Sequence, residues 1–219
     1  MSAAATMYIS NLLRKISVEE SISSTRPLST RRRSEVSVFA VKDKVSIASV
    51  ISSLDEATDD RWEWEKWFTH AYTSGSPTIG IRDVSSDTIV GFASIDQSVA
   101  VRPSSPRIID LDLEITSVYV RPDFRGKGYG AILRRAATSH LETVLDRLAN
   151  LSEEDVADHG LVGLSVTVSS HPESHEGLAF AQRLCTDVGN HLSSLSQAAW
   201  FGAATLIDET DPEEALSMD

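Results

Sequence analysis

Residues 108–149 run IIDLDLEITSVYV, then RPDFRGKGYG, then AILRRAATSHLETVLDRLA. The first stretch alternates apolar and polar residues, as a strand does, and the last has helical spacing. Between them Gly126, Gly128 and Gly130 occupy alternating positions. A strand that feeds a helix through a short glycine loop, in mid-chain, commits the sequence to an α/β arrangement. One glycine is enough for such a turn. Three bare backbone positions at a helix start also expose successive N–H groups, which is what an approaching anion needs.

The flanking sequence extends the pattern. EVSVFAVK reads as a strand, followed by a helix in DKVSIASVISSL with Asp43 as N-cap. DDRWEWEKWFTHAYTSG reads as a second helix, capped by Asp59 or Asp60 and closed by Gly75. PTIGIRD and TIVGFASIDQSVAV are strands around a turn at Ser85–Asp87, and RPSSPR is a loop. After the glycine loop and its helix come an acidic connector, NLSEEDVADHG, and a continuous apolar strand, LVGLSVTV, of the kind buried on both faces. A helix from about Glu176 to Val188 and a strand or hairpin arm in AAWFGAATLI complete the order β α α β β β loop α β α β. The expected organisation is one mixed-sheet domain over 35–207. It is preceded by a basic, Ser-rich segment, 1–34, read as a tail or a short docked helix, and followed by an acidic tail, 208–219.

Charge narrows the function classes. The net charge is −12, yet residues 1–34 carry about +4, leaving about −16 on the remainder. An acidic body argues against nucleic-acid binding, which depends on neutralising phosphates, and is compatible with a cationic acceptor. The single cysteine, Cys185, excludes an internal disulfide and a cysteine-rich zinc site. No apolar run reaches the roughly 20 residues that span a bilayer. A cytoplasmic location without membrane association is expected, with organelle targeting by the Arg- and Ser-rich N-terminus as the alternative.

The loop's spacing excludes two common phosphate patterns. Lys127 is followed by Gly128 rather than Ser or Thr, so a Walker loop fails. The third glycine comes one residue early for the dinucleotide fingerprint, and the loop follows the fourth strand rather than the first. What remains is R/Q-x-x-G-x-G/A, met by Arg125, Gly128 and Gly130 inside VYVRPDFRGKGYGAIL. This stretch resembles the pyrophosphate loop of the GNAT superfamily of acetyl-CoA-dependent N-acyltransferases. The resemblance covers roughly Glu35 to Leu206. It implies an α/β fold of the α+β type, with a mixed, mostly antiparallel central sheet flanked by helices and splayed between the fourth and fifth strands. It also implies acetyl-CoA as co-substrate, no metal, and direct transfer of an acetyl group to a primary amine on a small molecule or peptide. A homodimer is an arrangement the family often adopts.

Site residues follow from the same resemblance. Arg125, Gly126, Lys127, Gly128, Tyr129, Gly130 and Ala131 would hold the pyrophosphate. The pantetheine arm would pair with backbone along Val118, Tyr119 and Val120, and the Val118 N–H would polarise the thioester carbonyl. Asp110, Asp112, Glu114 and Thr116 share one strand face. Some family members carry a general-base glutamate eleven residues before the loop's first Arg or Gln, the separation of Glu114 and Arg125. A buried carboxylate there would favour taking a proton; the competing role for Glu114 is a hydrogen bond to a neighbouring loop.

The family's late-helix tyrosine, which protonates the leaving thiolate, falls here on Ala181 in SHEGLAFAQRLCT. Ser169, Ser170, His171 and His175 lie nearby, and Cys185 reads as a small core residue. On the acceptor side, Trp64 and Trp67 share a helix face that Trp62 does not. Those two and Asp112 are the candidate substrate contacts, with Trp200 and Phe201 on the opposite wall. A non-catalytic acyl-CoA-binding module is the alternative function, and a site for another phosphate ligand, such as a nucleotide, is the third.

Overall fold

The computed structural model describes residues 2–23, 28–29, 35–41, 76–103, 107–172, 174–195, 200–201 and 204–210. The helices expected at 43–54 and 59–75, with Trp62, Trp64 and Trp67, lie outside the described residues, as do the Arg31–Arg33 cluster and residues 211–219.

The described elements are α1 (Ser2–Leu13), α2 (Val18–Ser23), β1 (Leu28–Ser29), β2 (Glu35–Ala40), β3 (Thr78–Asp83), β4 (Thr88–Val101) and β5 (Arg107–Val120). A 3-10 turn (Pro122–Phe124) is followed by α3 (Tyr129–Ala149), α4 (Glu153–His159), β6 (Leu161–Ser170), α5 (His175–Leu195) and β7 (Ala204–Thr210). Hydrogen-bonded neighbours follow chain order from β1 to β7. The β1–β2, β2–β3 and β3–β4 pairs are antiparallel, and β6–β7 is parallel. This is a mixed α/β fold with a sheet flanked by helices.

The chain forms two compact units that share β4, β5 and α3. One comprises Val18–Asp96 and Ile115–Ser139. Its meander pairs Val38 with Ile81 and Gly80 with Phe92, and buries Ile79, Ile81, Ile89 and Phe92 at 1% exposure or less. Fully burying such side chains contributes about 1.5–3 kcal/mol each. A register shift between Ile81 and Arg82 leaves Val90 as the extra residue of a β-bulge. Its carbonyl accepts from Arg121 N–H, and the adjacent Gly91 is approached so closely that a Cβ there would lie 2.3 Å from the Tyr119 carbonyl.

The other unit comprises Met1–Ser17, Gln97–Glu114 and His140–Asp219. Here β6 pairs with β7 from Leu164–Ala204 to Ser170–Thr210. Parallel neighbours need a crossover, which α5 supplies. Its buried residues Phe180, Ala181, Leu184, Cys185, Val188 and Leu192 form one stripe. The N-terminal α1 docks through Ala5, Ile9 and Leu13, and the Thr6 hydroxyl accepts from Val101 N–H.

Two expectations change. The acidic connector contains α4, capped by Ser152, which accepts from Asp155 N–H, with Glu153, Glu154 and Asp155 in its first turn and left-handed Gly160 at its end. Those are ordinary helix start and stop signals, read too coarsely as charge alone. The last strand is no hairpin arm. It runs from Ala204 to Thr210 and pairs in parallel with β6.

Candidate functional site

The glycine loop lies wholly within the first unit. The 3-10 turn reverses the chain after β5, with Phe124 N–H donating to Arg121 O and Arg125 N–H to Pro122 O. Arg125 Nε donates to Val120 O at 2.9 Å, and Lys127 Nζ donates to Asp123 O at 2.5 Å. Lys127 and Arg121 both cap the Phe124 ring, at 5.0 and 5.5 Å from its centroid. The two basic side chains expected to flank a pyrophosphate thus also brace the loop's own backbone.

Gly126 and Gly128 have φ of 68° and 97°. These left-handed conformations are costly for any residue with a Cβ, so both glycines serve the turn. Gly130 differs. It is the second residue of α3 and has no positive φ, and a Cβ placed on it would meet nothing within 4 Å. A helical glycine costs about 1 kcal/mol against alanine. Among the described residues no contact demands one here, and no backbone strain does. The space above Gly130 is open.

The electrostatics agree. Ile132 N–H donates to Gly128 O, so the amides ahead of it lie outside the helix's own ladder. The first turn of α3 contains no acidic residue, whereas α4 fills its first turn with three. An anion placed at the N-terminus of α3 would meet the favourable end of the helix dipole. The Gly130 space and this donor set fit a pyrophosphate group. Tyr129 points its side chain inward, 3% exposed, with its ring edge-on to Phe124 at 5.4 Å, so its main chain alone is available to such a ligand. Ala131 is exposed.

Along β5 the side chains alternate as expected, with Leu111, Leu113 and Ile115 buried. Val118 and Val120 are half-buried, and Tyr119 is buried against Phe92 with centroids 6.0 Å apart. Asp112 and Glu114 fall in the second unit, Val118–Val120 and the loop in the first. Asp110 is held by Arg102 in a two-point ion pair at 2.6 and 2.7 Å, and Asp112 accepts from Ser98 Oγ at 3.3 Å. Glu114 is exposed, not buried. The strand's alternation keeps it on the polar face, so the burial expected for it is not found.

Ala181 is 1% exposed within the packed stripe of α5. His171, Ser174 and His175 are exposed, and Ser170 is buried. Cys185 is a core residue, as expected. Burial first, then the Asp208 charge and a hydrogen bond to Asp208, push its thiol up to about 11. Trp200 donates from Nε1 to Leu148 O at 2.8 Å and stands edge-on to buried Phe201. Sequence reading missed Asp83, whose carboxylate meets Tyr129 across 46 residues. The local signal was an aspartate followed by Ser85 and Ser86, a turn pattern that names no distant partner. Among the described residues no acidic, His or Cys cluster could hold a metal ion, and no helix is long and apolar enough to cross a membrane.

A strand, a tight glycine loop and an acid-free helix start follow one another here. The family model for the acetyltransferase (GNAT) family matches residues 46–161, more than half of the chain. The protein belongs to that family, whose members use acetyl-CoA. No curated protein matches the sequence significantly. Among solved structures, the chain is similar to a Trypanosoma brucei acetyltransferase, at 17% identity over 68% of this chain and 90% of that one, with a TM-score of 0.32. It is similar to glucosamine-6-phosphate N-acetyltransferase from Arabidopsis thaliana, at 15% identity over 68% and 90%, with a TM-score of 0.30. It is also similar to an integron cassette protein from V. cholerae, at 17% identity over 74% and 98%, with a TM-score of 0.35. Likenesses this remote carry nothing about the substrate.

Proposed function

We propose that the protein moves an acetyl group from acetyl-CoA to a primary amine by direct transfer within a ternary complex. The observation that carries this reading is Gly130, a helical glycine with open space where its side chain would be. In this reading Arg125 to Ala131 hold the pyrophosphate through main-chain N–H groups and positive charge. The strand ahead of them receives the pantetheine arm along its backbone at Val118–Val120. The amine lone pair forms the new N–C bond while the C–S bond breaks, and Val118 N–H donates to the carbonyl oxygen as charge develops there. The amine's proton passes to Glu114 through water, a route that suits an exposed carboxylate. Ala181 cannot reprotonate the thiolate, which takes its proton from solvent.

The acceptor is an amine-bearing small molecule or peptide, with Asp112, Trp64 and Trp67 as its proposed contacts. The test is release of free CoA from acetyl-CoA across an amine panel, alongside calorimetric titration with CoA. Glu114→Gln is expected to lower turnover at least tenfold, within the roughly 10²–10⁴ range of general-base effects; a smaller loss would sink the base assignment.

One observation favours a second reading. The position of the family's acid is a packed alanine, as in a chain that binds acyl-CoA as a regulatory module without turning it over. Stabilisation by CoA with no turnover on any amine would select that reading, and stabilisation by ATP but not CoA would reject both.

A further inference from the structure

We propose that Asp83 is a positioning residue for the glycine loop, holding the first turn of α3 through the Tyr129 hydroxyl so that the loop's amides meet a diphosphate-bearing ligand already aligned. This rests on the reading of the loop as the CoA site.

Tyr129 is the one side chain in the segment Gly128–Tyr129–Gly130. Glycine-flanked backbone is the most mobile a chain has, and fixing it on binding would weaken the ligand's hold. An anchor on the middle residue removes that cost in advance. The phenol reaches down from the loop and donates to Asp83 Oδ2 in a short buried contact, both residues being 3% exposed.

Asp83 is itself immobilised. Its Oδ1 accepts from Ser85 Oγ at 2.5 Å, from Ser86 N–H at 3.0 Å and from Ser86 Oγ at 3.1 Å. Its backbone is rooted in the sheet, opposite Val36 on β2 and Thr88 on β4. Burial alone would raise its pKa, but the bonds from Ser85, Tyr129 and Ser86 outweigh it and hold the carboxyl at about 2. At neutral pH the acceptor is therefore a fixed carboxylate. Phe124, edge-on to the Tyr129 ring, fixes the ring's plane, and Asp83 fixes how deep it sits. One carboxylate thus ties the β3–β4 turn to the helix start.

The experiment pairs Tyr129→Phe, which removes one oxygen and keeps the ring, with Asp83→Asn and the double variant. Two readouts are taken well below the unfolding temperature: hydrogen exchange at the amides of residues 126–131 in the free protein, and the CoA dissociation constant by calorimetry. Exchange in the loop is expected to quicken in Tyr129→Phe and CoA to bind about tenfold more weakly, the order of loss for one hydrogen bond to a charged group. The double variant is expected to be no worse than the poorer single one, since both break the same link. A merely structural role lowers the melting temperature and moves neither readout. In wild-type protein that binds CoA, an unmoved exchange rate or an unmoved dissociation constant overturns the proposal. Wild-type protein that does not bind CoA overturns the reading of the loop instead, and the anchor then stands or falls on loop exchange alone. If Asp83→Asn does not fold, Tyr129→Phe decides.

Discussion

Gln97 Nε2 and His140 Nε2 meet at 2.8 Å, joining β4 to α3 through a histidine that is 1% exposed. Burial lowers the His140 pKa from 6.5 to about 4. Above pH 6.5 the ring is neutral in folded and unfolded chains alike, and folding loses nothing. Below 6.5 only the unfolded chain takes up the proton, so stability falls with pH until the folded ring protonates near 4. The whole effect is on the order of 3 kcal/mol at about 1.36 kcal/mol per pH unit. Urea midpoints measured from pH 7.5 to 4 should fall more steeply for wild type than for His140→Gln, which keeps a hydrogen-bonding amide and does not titrate. Parallel slopes would refute the assignment.

Gly130 separates folding from binding. Gly130→Ala is expected to raise stability by roughly 0.5–1 kcal/mol, the ordinary gain of replacing a helical glycine, and to weaken CoA binding, though less than a larger side chain does. Gly130→Leu should keep the melting temperature near wild type, because its Cβ meets open space. It should weaken CoA at least tenfold, because its branches fill the ligand's room. Calorimetry and thermal melts decide this, and undiminished CoA binding by the leucine variant is the adverse result.

Restoring the family's tyrosine should not restore an acid. Ala181 is 1% exposed in the α5 stripe, so Ala181→Tyr overfills a packed site and should cost about 1–3 kcal/mol. Denaturant titration checks the cost. A variant that is both as stable as wild type and faster in acetyl transfer would show that the position opens onto the chemistry.

Cys185 should be inert while folded. With its thiol pushed from 9.0 to about 11, the thiolate fraction at neutral pH is roughly 100-fold lower than in an unfolded chain, and burial slows access further. Labelling with a thiol reagent at pH 7.5 should be slow in native protein and rapid in urea. Asp208→Asn removes the adjacent charge and should quicken native labelling; equal rates in wild type and variant would exclude Asp208 as a cause.

Much of the fold was legible because it rests on local periodicity. The alternation of Leu111, Leu113 and Ile115 against Asp112 and Glu114 marks β5, and the spacing from Ile132 to Leu148 marks α3. The cap residues Ser152 and Gly160 also announced α4, although acidic charge masked them. Less of the site was legible. The sequence supplied the loop, its cofactor class through the family pattern, and the absence of a tyrosine at Ala181. It did not separate the three glycines by role, since φ and free space are properties of the folded chain.

The sequence by itself thus determined the strands β2 to β6, the strand–loop–helix unit and the positions of Arg125, Gly128 and Gly130, because these depend on side-chain period and on residues a few places apart. Tertiary structure decided what depends on distant partners. It set the exposure of Glu114 and the parallel seat of β7 beside β6. It also fixed Tyr129 on Asp83, because a hydrogen bond between residues 46 apart exists only once the β3–β4 turn and the start of α3 have been brought together.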